Sequence, residues 1–529
     1  MTPPLSTSNP RAAAPGALAA LALTLLVLAA TAWMRPLMLP DEGRYVSVAW
    51  EMLRSGDWLT PTLDSLPFFH KPPLFYWISG AALALLGPVE LAGRAGSLAG
   101  ATLAAMALFL FTRRWCGPRD AWRALLVLLA QPLFFVGAQF ANLDMLVAGC
   151  IGATVLALAH AALAFEQGLP HRRMLWLGWA LAGLGVLAKG LIGFVLPALA
   201  IGLWLLLRWR WRTLLALLSL PGLLLFLLVA APWFVAMQQR FDGFLHYFFV
   251  VQHFQRFSAS GFNNAMPVWF YPAVLALLSL PCLLWCRRLL APDYWAGGRG
   301  TPQGAVRLLM LVALASVLLF FSLPRSKLVG YVLPAVLPLA WLMADASRAL
   351  AATPSRARAW WASTAAGLAL ALGLVLWLAW GDTRHSERPV GQALHALREP
   401  GEPVFVLRQY LYDLPFYARL TGPVRVVDDW DSPDVHARDN WRKELADAAA
   451  FDPATASQVL VLPRGLAAAL CAAPVSWVLG TDRQREEFAF LGRAEEARRV
   501  GEQVLWRVRP ADLPAPGCPA GAPASLSKR

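Results

Sequence analysis

The chain contains about eleven separate runs of apolar residues, each roughly 17–25 residues long, which is the length of a helix that crosses a bilayer. Only 15% of its 529 residues are charged and the mean hydropathy is +0.52, whereas about a quarter of a soluble domain is charged. A single core cannot absorb this much apolar surface, so the sequence predicts a mostly α-helical, polytopic membrane protein. The runs lie near residues 13–33, 91–111, 124–140, 145–165, 174–188, 190–207, 213–235, 266–286, 306–322, 328–345 and 359–380.

The basic residues alternate between connections, so the net charge of +14 indicates topology rather than nucleic-acid binding. By the positive-inside rule the basic connections are cytoplasmic and the remaining ones face outward. An odd number of spans then places the residues after 380 outside as well. The basic connections are 113–123, 171–173, 208–212, 287–288 and 347–359, and the outward ones hold 41–73, 139–144, 238–265 and 323–327.

The first apolar run and the cysteine spacing each raise an alternative interpretation. The first run ends near Ala30 and Ala32, an A-x-A pattern that would also suit a cleaved signal peptide, although its apolar region is longer than usual. The six cysteines show neither a CxxC pair nor a disulfide framework, and Cys282 and Cys286 are expected in an apolar core.

The composition changes after the last apolar run and divides the chain into three parts. Residues 1–380 form the predicted transmembrane domain, and 381–510 a small α/β domain on the outer face. Within the latter, "EPVFVLRQYLYDLPFYARL" and "GPVRVVDDW" predict strand, helix and strand, and "QVLVLP" a further buried strand. Residues 511–529 are rich in proline and alanine, which predicts a disordered tail.

Acidic and basic residues follow the first span directly. The segment "DEGRYVSVAWEMLRSGDW" has apolar residues at helical spacing and a polar face with Asp41, Glu42 and Arg44. It is too polar to span, so we expect an interfacial helix. A second one is expected after Pro72–Pro73. Surface helices without chemistry are the alternative.

Charged residues also stand at the outward ends of later spans, where each costs about 2.5–3.5 kcal/mol on insertion scales. These residues are Asp144, Lys189, Arg325 and Lys327. Snorkelling to headgroups explains a single lysine equally well. Together, however, the cations predict an outward cavity suited to a lipid-linked phosphate.

Two histidines in a later outward loop, His246 and His253, are seven residues apart. On an α-helix that spacing is two turns on one face. They are candidate metal ligands, and interfacial histidines without a metal are the equal alternative.

These segments resemble the aminoarabinose transferases that modify lipid A, within the protein-O-mannosyltransferase-like glycosyltransferases of the GT-C fold. "DEGRYVSVAWEMLRSGDWLTP", "FFHKPPLFYW", "FLHYFFVVQHFQRFS" and "FSLPRSKLVGYVLP" carry the resemblance, which covers most of residues 15–345 and is weak to absent beyond. It implies a GT-C membrane glycosyltransferase in the bacterial inner membrane, with its active site and C-terminal domain in the periplasm. The implied donor is a sugar on undecaprenyl phosphate, and the implied acceptor is lipid A.

The resemblance also implies site residues. Asp41 and Asp144 take the family's acidic positions and are the candidate catalytic residues. The candidate substrate-binding residues are Glu42, Arg44, Tyr45, Lys71, Lys189, Arg256, Lys327 and Tyr331. His70, His246 and His253 are candidate ligands of a divalent metal such as Zn²⁺. His70 stands where the family usually has glutamate, which puts that metal in question.

The implied chemistry leaves the role of Asp41 open. Lys71, Arg44 and Lys189 would stabilise the negative charge that grows on the leaving phosphate. An acceptor phosphate would need little help from a base, whereas a hydroxyl acceptor would make Asp41 the general base. Transfer to a protein or to another envelope glycolipid is therefore the main alternative, and a lipid transporter is the non-enzymatic one.

Overall fold

The computed structural model describes residues 10–255, 265–296, 300–350, 353–381, 386–437, 440–514 and 518. A bundle of helices carries a C-terminal domain that is built on a mixed sheet. A short hairpin, β1 (Thr62–Leu63) and β2 (Leu66–Pro67), interrupts the first connection of the bundle. The helices of the bundle are α1 (Pro10–Ala29), α2 (Asp41–Ser55), α3 (Leu74–Leu86), α4 (Glu90–Gly93), α5 (Ala95–Trp115), α6 (Pro118–Leu129), α7 (Pro132–Ala138), α8 (Leu143–Glu166), α9 (Arg172–Lys189), α10 (Ile192–Leu207), α11 (Trp211–Leu217), α12 (Leu220–Arg240), α13 (Phe270–Leu277), α14 (Pro292–Ala296), α15 (Pro302–Ser322), α16 (Leu333–Leu350) and α17 (Pro354–Gly381).

The predicted multi-span architecture is confirmed, but the described part of the structure supports six or seven spans by length and composition, whereas the sequence predicts about eleven. Among the described residues, six helical stretches are long and apolar enough to cross a bilayer, and the pair α6 and α7, bent by 71°, makes a seventh if it is one broken span. Three further apolar helices are shorter. The six stretches are Ala95–Trp115, Leu143–Glu166, Leu220–Arg240, Pro302–Ser322, Val329–Arg348 and Pro354–Trp380.

Helix α8 lies at the centre of the bundle and is buried along most of its length. It packs against α5, α9, α10 and α16. At a rise of about 1.5 Å per residue its 24 residues extend over roughly 36 Å. The two ends of α8 therefore mark opposite ends of the bundle. The end where α8 begins is called the site end below, and the other is called the basic end.

Local sequence signals determine where α8 begins and where α9 ends. The side chain of Asn142 caps α8 by accepting a hydrogen bond from the Asp144 N–H at 2.8 Å. Helix α9 ends because Gly190 adopts a φ of 86°, a conformation that is open to glycine and costly for other residues. Asp144 and Lys189 are thereby placed at helix ends, where polar groups are most easily accommodated.

The predicted span at 266–286 is interrupted in the structure. Helix α13 covers Phe270–Leu277, and a 3₁₀-helix follows at Cys282–Leu290. Cys282 is buried, as expected, and Cys286 is partly buried.

The C-terminal domain contains the predicted α/β elements and three strands that the sequence pattern did not reveal. Its six-stranded sheet has the order β5-β4-β3-β6-β8-β7, with β5, β4, β3 and β6 parallel and β8 and β7 antiparallel. The predicted strand, helix and strand correspond to β3, α19 and β4, and "QVLVLP" contains β5. The elements are α18 (Arg388–Leu397), β3 (Val404–Leu407), α19 (Leu414–Tyr417), β4 (Arg425–Val427), α20 (Trp441–Ala449), α21 (Pro453–Val459), β5 (Leu460–Val461), α22 (Leu466–Leu470), β6 (Ser476–Thr481), α23 (Asp482–Glu487), β7 (Glu495–Val500) and β8 (Gln503–Val508).

The two faces of this sheet join different cores. Side chains alternate along a strand, so Val404 and Val406 pack into the core that continues into the bundle. Phe405 and Leu407, between and after them, pack into a separate core on the far face. One face of the C-terminal domain is therefore part of the same hydrophobic core as the membrane helices.

A disulfide between Cys471 and Cys518 corrects the expectation that the cysteines form no such bond. The sequence signal was weak because the partners are 47 residues apart and only two of the six cysteines are involved. The packed part of the domain also continues past residue 510, since Leu513 is buried in the far core. The rest of the predicted tail, 515–517 and 519–529, lies outside the described residues.

Candidate functional site

An ion pair between Asp144 and Lys189 stands at the site end of the bundle. Asp144 lies in the first turn of α8, and Lys189 is the last residue of α9, so these antiparallel neighbours bring the two side chains together. The side chains are only 6% and 12% exposed. The predicted convergence of an acid and a lysine from different spans is thus present in the structure.

The segment around Tyr331 closes over this pair. The ammonium group of Lys189 lies 4.6 Å from the centre of the Tyr331 ring, a cation–π contact. Gly330 lies against the carboxylate of Asp144 so closely that a Cβ atom at this position would overlap it. Three separate sequence segments therefore meet at one point, and each contributes one predicted site residue: Asp144, Lys189 and Tyr331.

The predicted helix after the first span is present as α2, which begins at Asp41. Asp41 is more accessible than Glu42 and Arg44, with 34% of its side chain exposed, and its Oδ1 lies 3.4 Å from Nη1 of Arg44. Arg44, three residues later and thus on the same helix face, is 16% exposed. The Asp41–Arg44 pair is polar, reachable and held at the start of a helix.

Tyr45 links the α2 residues to the bundle pair electrostatically. Burial raises the pKa of the Tyr45 hydroxyl, and the nearby carboxylates of Asp41, Asp144 and Glu444 raise it further, against the opposing effect of Arg44. Tyr45 therefore stays a neutral hydroxyl. The acids that act on the Tyr45 hydroxyl come from three parts of the chain: α2, the start of α8 and the C-terminal domain.

Glu42 has a different environment from its neighbour Asp41. It is fully buried and ion-paired to Arg35 and Arg94, the latter at 2.9 Å. Its Oε1 also accepts the N–H of Ala141 at 2.8 Å, just before α8 begins. Burial alone would raise the pKa of Glu42, but the two guanidinium groups outweigh it and lower the pKa to about 2. These contacts tie α2 to the start of α8 and thereby place Asp41 relative to Asp144.

The site also contains residues that the sequence analysis missed. Glu444 and Tyr412 of the C-terminal domain contact Arg44, with Glu444 Oε2 at 3.2 Å from Nε. Tyr76, on α3, is buried beside Tyr45, and its hydroxyl has no hydrogen-bond partner within the described residues. Tyr76 could have been noticed because it follows Lys71-Pro-Pro. The residues from the C-terminal domain carried no signal, because only folding brings them near α2.

Lys71 and His70 lie where the first connection enters α3. The segment leaves the hairpin at Pro67 and ends at Pro73, which precedes the first residue of α3. The His70 ring is buried and lies 4.6 Å from the Phe68 ring and 6.1 Å from the Tyr247 ring. Lys71 is partly buried. The first and the later loop thus meet at His70.

The expected metal site is not formed by the described residues. No group of three His, Cys, Asp or Glu side chains with the spacing for a metal occurs among them. His70 lies beside the Phe68 and Tyr247 rings, and His246 is exposed. The side chain of His253 lies outside the described residues. Zn²⁺ binding therefore stays a prediction, and no chemical step is derived from it.

The helix that carries His246 also differs from the expected one. His246–Gln255 forms a π-helix, which has more residues per turn than an α-helix because its hydrogen bonds join residues five apart. Two residues seven positions apart no longer lie on one face of such a helix. The argument that His246 and His253 share a face is wrong for this reason.

The other basic residues predicted for the site are Lys327, Arg325 and Arg256, and the two that the structure describes have different environments. Lys327 is buried, and its ammonium group donates to the carbonyl of Met266 at 3.0 Å and to that of Pro324. These contacts fix the chain before Tyr331. Arg325, two residues earlier, is exposed. Arg256 lies outside the described residues.

The site contains acidic and basic side chains in nearly equal number, and most of them are shielded from solvent. Asp41 and Glu444 flank Arg44, and Asp144 is paired with Lys189. Charges that are already oriented and shielded from water interact strongly with charge that develops in a reaction. The arrangement suits a substrate that carries both a phosphate and a polar ring.

Comparison with known proteins confirms the resemblance. The chain is 38% identical over 320 residues to the undecaprenyl phosphate-alpha-4-amino-4-deoxy-L-arabinose arabinosyl transferase 1 of Sodalis glossinidius. The aligned residues make up 59% of this chain and 55% of that protein. It is 34% identical over 317 residues to the enzyme of that name in Pseudomonas aeruginosa, again 59% and 55%. The aligned part thus spans about half the length of these relatives. Residues 70–235 match the family described as dolichyl-phosphate-mannose-protein mannosyltransferase.

Two solved structures share the fold. The crystal structure of ArnT from Cupriavidus metallidurans bound to undecaprenyl phosphate superposes with a TM-score of 0.77 at 22% identity, covering 96% of this chain and all of that one. An oligosaccharyltransferase from Archaeoglobus fulgidus, tethered to an acceptor peptide, gives 0.50 at 13% identity, over 90% of this chain and 70% of that one. The predicted GT-C fold is confirmed, and the coverage extends the likeness into the C-terminal domain, where the sequence resemblance was weak.

Proposed function

We propose that this protein is a membrane glycosyltransferase that moves 4-amino-4-deoxy-L-arabinose from undecaprenyl phosphate to lipid A. The observation that carries the proposal is that the Asp41–Arg44 pair and the cluster of Asp144, Lys189 and Tyr331 stand at the same end of the bundle, where Glu42 of α2 accepts the Ala141 N–H just before α8 begins. Asp41, Arg44, Tyr45 and Tyr331 stand in segments quoted above for their resemblance to the aminoarabinose transferases, and Asp144 and Lys189 lie within the range 15–345 that the resemblance covers. The names of the similar proteins support the donor. The resemblance to transferases that modify lipid A supports the acceptor.

The transfer breaks the bond between the anomeric carbon and the phosphate oxygen of the donor. The bonding electrons leave with undecaprenyl phosphate, and an acceptor oxygen forms the new bond to the anomeric carbon. The leaving phosphate gains negative charge, so preorganised cations lower the barrier. Lys71, Arg44 and Lys189 are the residues that we assign to this stabilisation.

The two aspartates have different environments, which supports different roles. Asp144 is paired with Lys189 and nearly buried, so it is better suited to orient the sugar or its amino group. Asp41 is more exposed and reachable. If the acceptor is a lipid A phosphate, which is largely ionised because its second pKa is about 6, Asp41 orients the sugar as well. With a hydroxyl acceptor Asp41 would take the acceptor's proton.

Some predicted binding residues are better explained as supports of the site. Glu42 is enclosed by two arginines and backbone N–H groups, and Lys327 by backbone carbonyls. Removing one partner of a buried ion pair destabilises a protein by about 3–5 kcal/mol. We therefore assign Glu42 and Lys327 to structural roles and keep Tyr45 and Tyr331 as substrate contacts.

A second candidate function is transfer of a sugar to a protein hydroxyl or to another envelope glycolipid. The match of residues 70–235 to the family described as dolichyl-phosphate-mannose-protein mannosyltransferase favours it. A lipid transporter is disfavoured, because transporters place charges at broken helices near the midplane, whereas the Asp144–Lys189 pair stands at a bundle end.

The proposed orientation places the site end and the C-terminal domain in the periplasm, with about eleven spans in the inner membrane. The basic loops support this, and so does the Cys471–Cys518 disulfide, since such bonds persist in oxidising compartments. Cysteines introduced at Gly243 and Asp434 should react with membrane-impermeant reagents in intact spheroplasts, whereas one at Gly117 should not. If only the Gly117→Cys variant is labelled, the protein has the opposite orientation in the membrane.

Mass spectrometry of envelope glycolipids tests the proposed reaction. Lipid A from cells that express the gene should carry added 4-amino-4-deoxy-L-arabinose, and lipid A from cells that lack the gene should not. Purified protein should reproduce the transfer from the undecaprenyl-phosphate donor. Unchanged lipid A together with a glycan missing from proteins or from another glycolipid would establish the second candidate instead.

A further inference from the structure

Arg44 of the candidate site is held from the side of the C-terminal domain. Its Nε forms an ion pair with Oε2 of Glu444 at 3.2 Å, and its Nη2 contacts the Tyr412 hydroxyl at 3.4 Å. The guanidinium carbon also lies 4.8 Å from the centre of the Tyr412 ring. On its other side, Arg44 faces Asp41. Arg44 thus stands between the most accessible acid of the site and a separate domain.

Glu444 is itself positioned independently of Arg44. It lies in the first turn of α20, where the helix dipole favours an acid, and Asn440 caps this helix through the N–H groups of Arg442 and Lys443. The Tyr412 hydroxyl donates a 2.5 Å hydrogen bond to Glu444 Oε2. The Glu444 side chain is 8% exposed. Glu444 therefore stands on a capped helix, is buried and accepts a hydrogen bond from Tyr412, so its carboxylate is fixed where it meets Arg44.

The contact belongs to a continuous seam along one face of α2. Arg44, Ser47 and Trp50 are spaced three residues apart and therefore share a helix face. Ser47 Oγ donates to the carbonyl of Tyr412, and Trp50 Nε1 to that of Leu420 at 3.3 Å. The C-terminal domain therefore contacts one face of α2 at three successive positions, starting close to Asp41.

We propose that Glu444 and Tyr412 are positioning residues, which act through Arg44 to set the geometry of the Asp41–Arg44 pair in the transfer reaction. The inference rests on the proposed function. It assigns a role to the C-terminal domain, which completes the site without itself touching the substrate. Two acids share one arginine, so the loss of Glu444 lets the guanidinium turn fully toward Asp41 and changes the orientation of that carboxylate.

A double-mutant cycle on purified full-length protein tests this role. The variants are Glu444→Gln, Tyr412→Phe, Arg44→Gln and Glu444→Gln combined with Arg44→Gln. Each is assayed for transfer from undecaprenyl phosphate-aminoarabinose to lipid A, with kcat and KM measured separately. Asp431→Asn is the matched control, because it removes an exposed carboxylate of the same domain, paired to Arg464 at 2.9 Å.

We expect Glu444→Gln to lower kcat by about 10-fold or more with a smaller change in KM, and Tyr412→Phe to lower it several-fold. Glu444→Asp should restore part of the loss. In the Arg44→Gln background, Glu444→Gln should change kcat by less than about 2-fold, since residues that act as a unit are not additive. Asp431→Asn should match wild type.

Two outcomes overturn the inference in distinguishable ways. If wild type transfers the sugar but the losses from Glu444→Gln and Arg44→Gln multiply, Glu444 does not act through Arg44. If wild type itself transfers no aminoarabinose, the proposed function fails and the inference fails with it. Thermal unfolding of each variant identifies misfolding, and Tyr412→Phe, which keeps the ring, carries the test if Glu444→Gln does not fold.

Discussion

Both ends of α8 carry an ion pair between an acid on α8 and a base at or just after the end of a neighbouring helix, yet the two pairs differ in what surrounds them. At the basic end, Glu166 receives two hydrogen bonds from Arg208, at 3.1 and 2.7 Å, and one from Thr213. At the site end, Lys189 contacts one oxygen of Asp144 and the face of the Tyr331 ring. One pair is bidentate, and the other is a point contact.

The surroundings extend this difference. Arg208 stacks on Trp204, and the neighbouring Arg210 also faces Glu166. The site end instead adds the reachable Asp41, the neutral hydroxyl of Tyr45 and a covering domain. Bidentate pairing uses the donors and acceptors to hold helices together. A single contact leaves oxygen and N–H groups that a substrate can use. The two pairs are similarly buried, so burial does not separate the structural role of one from the functional role that we propose for the other; their partners do.

The largest expected effect comes from breaking the ion pair at the site end and comparing it with the same change at the basic end. Asp144→Asn and Lys189→Met should each lower transfer by about 100-fold or more, the usual loss when one oriented electrostatic group is removed. Glu166→Gln, the matched change at the basic end, should leave kcat within about 3-fold while lowering thermal stability. Steady-state kinetics and thermal unfolding measure both. Equal losses of kcat at the two ends would show that the ends do not differ in function.

A smaller effect is expected from crowding the Asp144 carboxylate. Gly330→Ala places a methyl group against Asp144 and should lower transfer by about 10-fold, because the carboxylate must move from Lys189. Gly373→Ala is the control: it stands inside α17 with open space around a new Cβ, and alanine favours a helix. Gly373→Ala should be as active as wild type and no less stable. Full activity of Gly330→Ala would contradict the close approach.

The smallest effect concerns pH and the domain that covers the site end. Burial raises the pKa of Asp413 to about 7, and Glu387 adds to this, although the Ser386 hydroxyl bonds the carboxylate and opposes it. An unfolded aspartate has a pKa near 3.9. Between about pH 4 and 7 the folded state therefore keeps a proton that the unfolded state releases, so this group's contribution to stability falls as pH rises and levels off above 7.

Asp413→Asn should consequently gain thermal stability relative to wild type as pH rises from about 5 to 8, by a few degrees in midpoint. The amide oxygen can still accept the bonds from Ser386 and Glu387. Asp431→Asn, at an exposed position, should show no such trend. A difference between Asp413→Asn and wild type that is constant across this pH range would contradict the raised pKa.

Several parts of the molecule followed from the sequence because short-range patterns encode them. Apolar runs predicted the multi-span bundle, since a bilayer imposes one length on every helix that crosses it. Asp41 at the start of a polar helix and Asp144 and Lys189 at helix ends were found because charge is costly beside lipid and therefore informative. The strands β3, β4 and β5 were visible as buried apolar runs in a polar segment.

Other parts depended on distances that no local pattern records. The pairing of Cys471 with Cys518, the contact of Glu444 with Arg44 and the buried network of Glu42 join residues far apart in the chain or hidden among similar ones. The π-helix at His246–Gln255 changed which residues share a face. The sequence alone determined the membrane architecture and the chemical types at the site, because hydropathy and helix ends are local. Only the tertiary structure decided which acids meet which cations, because that choice is made when helices and the C-terminal domain pack together.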